Sequence, residues 1–237
     1  MRLYVLQYSV NPETGSPVPG YLIQTDDGKN ILVDTGFGEE VVGAYKQPDT
    51  QVRWQVDEED YVVSRLAAIG LTPKDIDYLV ATHLDVDHAG AHDVFPDAEI
   101  VVQKEHLETA RAHDRFQNIR AHWDAPGLNY RTVEGDTELA PGVELIESGG
   151  HVPGHQAVLV RLSETGPVLL AIDAIPRAAQ TDPETRTIGP YDMDEAGTRA
   201  STRKLMDLAR REGATLIIHG HDPDQWKTLK KSPAYYA

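Results

Sequence analysis

Residues 78–88 carry the stretch that decides the fold and read YLVATHLDVDH. The first five letters are mostly apolar and predict a short buried strand. Four residues with metal-binding side chains follow at once, namely His83, Asp85, Asp87 and His88. Residues two apart at a strand end project to one face, so His83 and Asp85 can converge on one cation. If the chain then turns into a helix, Asp87 and His88 can approach a second cation beside the first.

Three further polar clusters each follow an apolar strand. The first is the GGHVPGH loop of residues 149–155, whose glycines and proline restrict the backbone and can hold an imidazole in place. The second is Asp173, at the end of the run VLLAI, and the third is the HGHD stretch of residues 219–222. One histidine or aspartate at a strand end is ordinary, but four such clusters in one chain indicate metal ligation by imidazole and carboxylate.

The composition excludes several classes of protein. The chain has 237 residues and no cysteine, which rules out a disulfide framework, a thiolate zinc site, an iron–sulfur cluster and a cysteine nucleophile. Its 22 basic and 38 acidic residues give a net charge of −16, which argues against nucleic acid and anionic membranes as partners. No stretch approaches the roughly 20 apolar residues of a membrane span, and a secretion signal is not evident. We therefore expect a cytoplasmic protein.

The periodicity of the chain predicts a single α/β domain over residues 1–237, with a core rich in strands and no linker. The longest helix is predicted at residues 194–211, where apolar residues fall on one stripe. Residues 113–130 lose the pattern and mix aromatic with basic residues. Two interpretations of that segment stay open: an insertion that faces the substrate, or an excursion that covers part of the core.

Taken together, the motifs resemble those of the metallo-β-lactamase superfamily. The LVDTG stretch of residues 32–36, the hexapeptide of residues 83–88 and the GHVPGH element of residues 150–155 stand in the family's order. Asp173 and the GHD of residues 220–222 complete the set, so the resemblance covers nearly the whole chain. It implies an αββα sandwich, in which two mixed sheets are flanked by helices, and a site for two metal ions at one edge of the sandwich.

The resemblance also assigns roles to individual residues. One metal ion would be bound by His83, Asp85 and His151, the other by Asp87, His88 and His221, and Asp173 would bridge both. Zinc is the expected ion, although these ligands also accept manganese, iron and cobalt. Asp34 would orient the hexapeptide by hydrogen bonding, and His155 resembles the structural histidine of its motif. His219 is expected not to bind metal, and we interpret four others as surface or loop histidines: His92, His106, His113 and His122.

Asp85 departs from the family pattern, because the common hexapeptide has histidine at this position. The three ligating carboxylates carry three negative charges, which two divalent ions and one bridging hydroxide would balance to a neutral site. Histidine at this position would leave the site with one positive charge. A less positive site acidifies its bridging water less and suits iron or manganese better, so Asp85→His is expected to shift the preference toward zinc.

Hydrolysis of an ester-like bond is the reaction that two such ions predict, because they can hold a hydroxide as nucleophile and polarise a carbonyl oxygen. Asp173 or Asp87 would carry the proton to the leaving oxygen. Within the superfamily, the length and motif order resemble the lactonase branch, which includes pyridoxolactonases and the quorum-quenching N-acyl homoserine lactonases. The latter have a tyrosine three residues after the bridging aspartate, where this chain has Pro176. Tyr191 or Tyr130 could replace it from a loop.

Other functions stay open beside the opening of a lactone. The same site could hydrolyse another ester, a phosphotriester or a thioester. A protein of a different class, a stand-alone diiron oxygen-binding sensor, is a further alternative, because the flavodiiron group also has a carboxylate at the position of Asp85. A homodimer is expected by resemblance to lactonases only.

Overall fold

The computed structural model describes residues 1–47 and 54–237, and two β-sheets form its centre. The strands are β1 (Arg2–Val10), β2 (Pro17–Gln24), β3 (Asn30–Val33), β4 (Tyr78–Val80), β5 (Glu99–Gln103), β6 (Asn129–Val133), β7 (Thr137–Ala140), β8 (Val143–Glu147), β9 (Gln156–Leu162), β10 (Gly166–Ile172), β11 (Leu216–His219) and β12 (Tyr235–Tyr236). The α-helices are α1 (Val62–Ala67), α2 (Lys104–Ala112), α3 (Arg120–Trp123), α4 (Glu195–Glu212) and α5 (Pro223–Trp226). Short 3-10 helices occupy Glu39–Val41, Ala44–Lys46, Glu58–Asp60, Pro73–Asp75, His92–Val94, Asp114–Ile119 and Ala178–Gln180.

Both sheets are mixed, as expected. The larger sheet has the strand order β12-β1-β2-β3-β4-β5-β6, and the smaller has the order β11-β10-β9-β8-β7. In the larger sheet β3 to β6 run parallel to one another, and in the smaller sheet only β10 and β11 do. Parallel strands present their carboxyl ends at one edge, so the polar residues that follow them are brought together there.

The described residues form a core of three apolar layers. Alternate residues of one strand belong to different layers, as in β3, where Ile31 and Val33 face the smaller sheet and Leu32 faces the helices. Because both faces of the larger sheet are covered, its central strands have continuous apolar runs, such as Ile31 to Val33 in β3 and Ile100 to Val102 in β5. On its outer side pack α1 and α2, with Leu107 of α2 buried. Leu205 of α4 packs on the outer side of the smaller sheet, and the expected αββα sandwich is thereby confirmed.

Two residues at the strand ends have backbone conformations that residues other than glycine rarely adopt. Asp34, directly after β3, has φ of 59°, and Ile172, the last residue of β10, has φ of 49°. A β-branched residue in this left-handed region is strained, and such strain is found where the surrounding structure holds a functional site. Both positions adjoin residues of the predicted metal site.

The segment at residues 113–130 covers the core, which was the second of its two interpretations. Phe116 and Trp123 are fully buried against the outer side of the larger sheet. The Trp123 indole donates a hydrogen bond to the carbonyl of Phe116 at 3.0 Å, and the Tyr130 hydroxyl donates to the carbonyl of Trp123 at 2.5 Å. Aromatic side chains in this segment therefore stabilise the fold, and its polar residues are discussed with the site.

None of the helices in the described ranges is both long and apolar enough to cross a bilayer.

Replacing Trp123 by alanine is expected to lower the free energy of unfolding by about 3–5 kcal/mol, because it empties a buried aromatic site and leaves the Phe116 carbonyl without its donor. Urea unfolding followed by fluorescence and circular dichroism measures the change. Asn118→Ala, at an exposed position of the same segment, is the matched control and should change stability by less than about 1 kcal/mol. A Trp123→Ala protein as stable as this control would contradict the assignment of the segment to the core.

Candidate metal centre

Three of the predicted ligands form a compact set that we call site 1: His83, Asp85 and His151. His83 and Asp85 lie in the loop after β4, whereas His151 lies in the loop between β8 and β9. The Oδ2 atom of Asp85 is 3.3 Å from Nε2 of His83 and 3.4 Å from Nε2 of His151. An ion with four tetrahedral ligands at about 2.0–2.2 Å needs ligand atoms roughly 3.3–3.6 Å apart. Site 1 therefore has the spacing that a divalent metal ion requires.

A second set, site 2, contains Asp87, His88 and His221. The Oδ2 atom of Asp87 is 3.8 Å from Nε2 of His88 and 3.8 Å from Nε2 of His221, which follows β11. The loop at residues 86–88 forms a turn rather than a helix, and the turn is sufficient to bring Asp87 and His88 to this side. All three ligand atoms lie close enough together to hold one ion.

Asp173 lies between the two sites and contacts both of them. Its Oδ2 atom is 3.5 Å from Nε2 of His151 in site 1, and its Oδ1 atom is 3.8 Å from Nε2 of His88 in site 2. Both of its oxygens are 3.1 Å from Nε2 of His221 in site 2. This is the arrangement that a carboxylate bridging two ions needs. Gly220 allows the close approach, because a Cβ atom there would lie 2.5 Å from Oδ1 of Asp173.

Buried polar atoms in this centre indicate that a cation belongs there. Nε2 of His83, Nε2 of His88 and Oδ1 of Asp173 are buried and have no hydrogen-bond partner. Buried polar atoms without a partner are uncommon, because each costs about 1–3 kcal/mol. All three point toward the ligand sets, so the donor atoms present fit divalent metal ions.

The four ligand imidazoles share one orientation, with Nε2 toward the centre and Nδ1 held from behind. The partners of Nδ1 are Thr82 Oγ1 for His83 (3.0 Å), Asp34 Oδ2 for His88 (2.9 Å), Asp192 Oδ1 for His151 (3.1 Å) and the Pro17 carbonyl for His221 (2.7 Å). A hydrogen bond to one ring nitrogen fixes the tautomer and leaves the other free for a metal. This pattern supports the four histidines as ligands independently of the distances.

Asp34 joins the strand end of β3 to the hexapeptide. Its Oδ1 accepts from the Thr82 backbone at 2.9 Å, and its Oδ2 accepts from the Thr82 hydroxyl at 2.7 Å and lies 2.9 Å from His88. Burial raises the pKa of Asp34, while His88 and Thr82 counter this effect. The expected orienting role of Asp34 agrees with these contacts.

The electrostatics of the centre favour cations. Burial alone would raise the pKa of Asp173, but the surrounding histidines, His221 and His88 foremost, hold it well below its usual range. Burial lowers the pKa of His88, but Asp87, Asp173 and Asp34 outweigh this and raise it to about 10. Burial and the neighbouring His88 lower the pKa of His83 to about 3, so its Nε2 lone pair is free. Ionised carboxylates thus surround the position of an ion, and a bound ion would displace the proton that they stabilise on His88.

Arg115 is a site residue that the sequence analysis missed. Its Nε donates to Oδ1 of Asp85 at 2.7 Å, its Nη2 donates to Oδ2 at 2.5 Å, and Nη2 also lies 3.1 Å from Nε2 of His151. Burial raises the pKa of Asp85, but His151, His83 and Arg115 together hold it far below its usual range. The polar part of the segment at residues 113–130 therefore reaches the metal centre, although its aromatic part covers the core.

Two of the histidines interpreted as surface or loop residues are in fact buried. His106 ties the ligand loops together, because its Nε2 accepts from the Leu84 backbone at 2.8 Å and its Nδ1 lies 2.8 Å from the Pro153 carbonyl. His92 is fully buried near Tyr130. The interpretation was wrong for these two because a lone histidine carries no signal of the loops that pack on it. His113 does lie at the surface, and His122 is partly exposed, with its Nδ1 3.0 Å from Oδ1 of Asp93.

Neither of the other two histidines that the motifs contain belongs to a ligand set. His155 is buried, and its Nδ1 lies 2.9 Å from the Ser148 hydroxyl, as suits a structural histidine. The Nδ1 atom of His219 lies 3.0 Å from the Ile175 carbonyl, away from both sites.

The candidate tyrosines lie in different surroundings. Tyr130 uses its hydroxyl to bond the carbonyl of Trp123 within the core-covering segment. Tyr191 is 72% exposed, and its carbonyl accepts from Nη1 of Arg115 at 2.5 Å. The next residue, Asp192, holds His151, so Tyr191 lies on a loop that contacts site 1 through two of its residues.

The comparisons with known proteins agree with this geometry. Residues 14–221 match the metallo-beta-lactamase superfamily. An N-acyl homoserine lactonase of a Bacillus species is 35% identical over 224 residues, covering 92% of this chain and 86% of that protein. The N-acyl homoserine lactonase AttM of Azorhizobium caulinodans is 36% identical over 264 aligned positions, covering 100% and 98%. A solved N-acyl homoserine lactone hydrolase, with the product N-hexanoyl-L-homoserine at its catalytic metal centre, has a TM-score of 0.85 at 30% identity, covering 99% and 98%.

Fold and relatives together define a class of enzyme, the metal-dependent hydrolases that act on ester bonds. The chain belongs to the metallo-β-lactamase superfamily, and its relatives place it in the lactonase branch. The resemblance seen in the sequence is thereby confirmed. Divalent metal ions are the cofactor that this superfamily implies, and the donor atoms described above fit them.

Asp34→Ala is expected to weaken metal binding roughly 10- to 100-fold, because His88 and the hexapeptide backbone lose the carboxylate that orients them. The measurement is the amount of zinc retained after dialysis against a series of chelator concentrations. Asp34→Asn keeps the side-chain volume and one acceptor oxygen, so its zinc retention should lie between that of Asp34→Ala and that of the wild type. Wild-type zinc retention by the alanine variant would show that Asp34 does not orient the ligands.

Proposed function

We propose that this protein opens lactone rings with a centre of two metal ions, and that N-acyl homoserine lactones are its substrates. The position of Asp173 is the observation that carries the proposal, because its carboxylate lies between the two ligand sets and contacts histidines of both. The relatives named as N-acyl homoserine lactonases support the choice of substrate. Opening such a lactone is quorum quenching.

When bound, the ions would supply a water acidic enough to attack near neutral pH and a positive charge for the carbonyl oxygen of the substrate. The leaving oxygen of the opened ring then needs a proton. We assign its delivery to Asp173 or Asp87. Asp87 is 17% exposed at its side chain, so a bound substrate can reach it from the solvent side.

Apolar side chains beside site 2 suit an acyl chain. The ring of Trp54 lies 6.4 Å from the ring of His221, and the ring of Phe37 lies 5.7 Å from that of Trp54. An apolar wall next to a polar metal centre is the usual composition of a site for a small amphipathic ligand. This wall favours an acylated lactone over an unsubstituted one.

Ring opening of N-acyl homoserine lactones by the zinc-loaded protein is expected, and it should fall at least 100-fold in Asp173→Asn and in His151→Ala. A pH indicator measures the released proton, with simple γ- and δ-lactones alongside. Asp97→Asn, at an exposed position, is the control and should keep wild-type activity.

Two outcomes would redirect the proposal. Turnover of phosphotriesters or thioesters without lactone opening would move the protein to another hydrolase of its superfamily. Iron as the bound metal, with a spectrum that responds to oxygen and no hydrolysis, would favour the oxygen-binding sensor.

We further propose that the Tyr191 hydroxyl assists the substrate carbonyl in place of the tyrosine that Pro176 replaces. Tyr191 is 72% exposed and lies on the loop that bonds Arg115 and His151, from which its hydroxyl would reach a bound lactone. Tyr191→Phe is expected to lower kcat roughly tenfold with little change in metal content, since only one hydrogen-bond donor is lost. Tyr130→Phe is the control, because its hydroxyl is bonded inside the protein. Equal kcat values for the two variants would remove Tyr191 from the mechanism.

A further inference from the structure

Arg115 grips Asp85 through two parallel hydrogen bonds. Nε binds Oδ1 at 2.7 Å and Nη2 binds Oδ2 at 2.5 Å, so both carboxylate oxygens are engaged by one planar guanidinium. This fork-to-fork geometry fixes the plane of the carboxylate as well as its position. Oδ2 is also the atom that faces His83 and His151 in site 1. Arg115 thus sets the direction from which Asp85 presents a ligand atom to an ion.

The guanidinium is itself held in place by its surroundings. Nη1 donates to the carbonyl of Tyr191 at 2.5 Å, and the guanidinium carbon lies 5.7 Å from the centre of the Phe116 ring, which is fully buried. The side chains of Arg115 and Asp85 are only 18% and 13% exposed. Their interaction is therefore screened by solvent much less than a surface ion pair would be.

The charge of Arg115 changes the balance of the centre. With three ligating carboxylates, two divalent ions and a hydroxide, the proposed centre would be neutral when Arg115 is left out of the count. The guanidinium is always protonated and adds one positive charge next to site 1. The total returns to the one positive charge that a histidine at position 85 would give. Asp85 would therefore weaken the preference for zinc only if Arg115 did not compensate its negative charge.

We propose that Arg115 is a positioning residue of the metal centre, which acts with Asp85 as one unit in the place of a histidine ligand and keeps the centre selective for zinc. This inference rests on the proposed metal centre. It assigns a metal-selecting role to a residue that contacts the ligands and does not itself bind the ion.

Metal selection by purified variants tests this role without any substrate. Wild-type protein, Arg115→Gln and Arg115→Lys are freed of metal, offered zinc and manganese at equal concentration, and analysed by elemental mass spectrometry. Arg115→Gln is expected to shift the bound zinc-to-manganese ratio toward manganese by roughly tenfold or more. Arg115→Lys, which keeps the charge but not the fork, should lie between Arg115→Gln and the wild type. Arg120→Gln is the matched control, because Arg120 also grips a carboxylate, that of Asp124, at the surface.

A double variant separates the paired action from two independent effects. Asp85→His alone leaves the guanidinium facing an imidazole without its carboxylate, and it should weaken zinc binding roughly tenfold or more. Adding Arg115→Gln to Asp85→His should restore most of the zinc affinity. Thermal unfolding of each variant checks that the fold is kept, and Arg115→Lys serves as the second variant if Arg115→Gln does not fold.

Three outcomes would overturn the proposal. One is an unchanged zinc-to-manganese ratio in Arg115→Gln, and another is additive effects in the double variant. The third is a higher metal content in Arg115→Gln than in the wild type, which would mean that the guanidinium excludes an ion from site 1. A protein that selects zinc through Arg115 yet opens no lactone would contradict only the proposed substrate.

Discussion

The candidate metal centre depends on one interaction, the hydrogen bonding of the buried Asp34 carboxylate to Thr82 and His88. Removing a carboxylate from water is costly, and the cost is offset only when its oxygens are fully bonded. Asp34 meets this condition with two bonds from Thr82 and one contact with His88, all at or below 2.9 Å. The backbone adds to the link, since the amide of Asp34 donates to the carbonyl of Val80 at 3.0 Å. The ends of β3 and β4 are therefore held together where the ligands begin.

The backbone around the centre is tightly constrained, and the sandwich supplies the stability for this. Ile172 adopts a strained conformation immediately before Asp173, and the Gly220 amide donates to the Ile172 carbonyl at 3.1 Å. Gly150 has φ of 134°, and a Cβ atom there would lie 2.1 Å from the backbone nitrogen of Thr198 in α4. The loop that carries His151 is thus packed directly on a long helix of the outer layer. Strain at such positions persists because the neighbouring layers fix them.

The strand-end pattern made the fold and the seven proposed ligands accessible from sequence. A ligand at a strand end can be located from the apolar run that precedes it, because the carboxyl ends of parallel strands lie at one edge of the sheet. Arg115, Asp192 and His106 could not be found this way, since each bonds a partner 22 to 41 residues away through loops of irregular path. The pattern is lost up to residue 130 although the strand β6 begins at Asn129, because this strand lies at the sheet edge and most of its residues are not buried.

Asp85 illustrates why a proposed metal ligand has to be considered together with its neighbours. Taken alone, a carboxylate in the place of an imidazole changes the charge of the site by one unit. When Asp85 is paired with Arg115, the total charge is the same as with a histidine at position 85. The pair also links Asp85 to the Tyr191 loop, because the same guanidinium bonds the carbonyl of Tyr191. An imidazole bonded to a metal has only one remaining nitrogen, so it could not be held by a guanidinium through two parallel hydrogen bonds as Asp85 is. The Asp85–Arg115 pair therefore couples a ligand of site 1 to the loop that also holds His151 through Asp192, so that the ligand and the adjoining loop are positioned by one charged group.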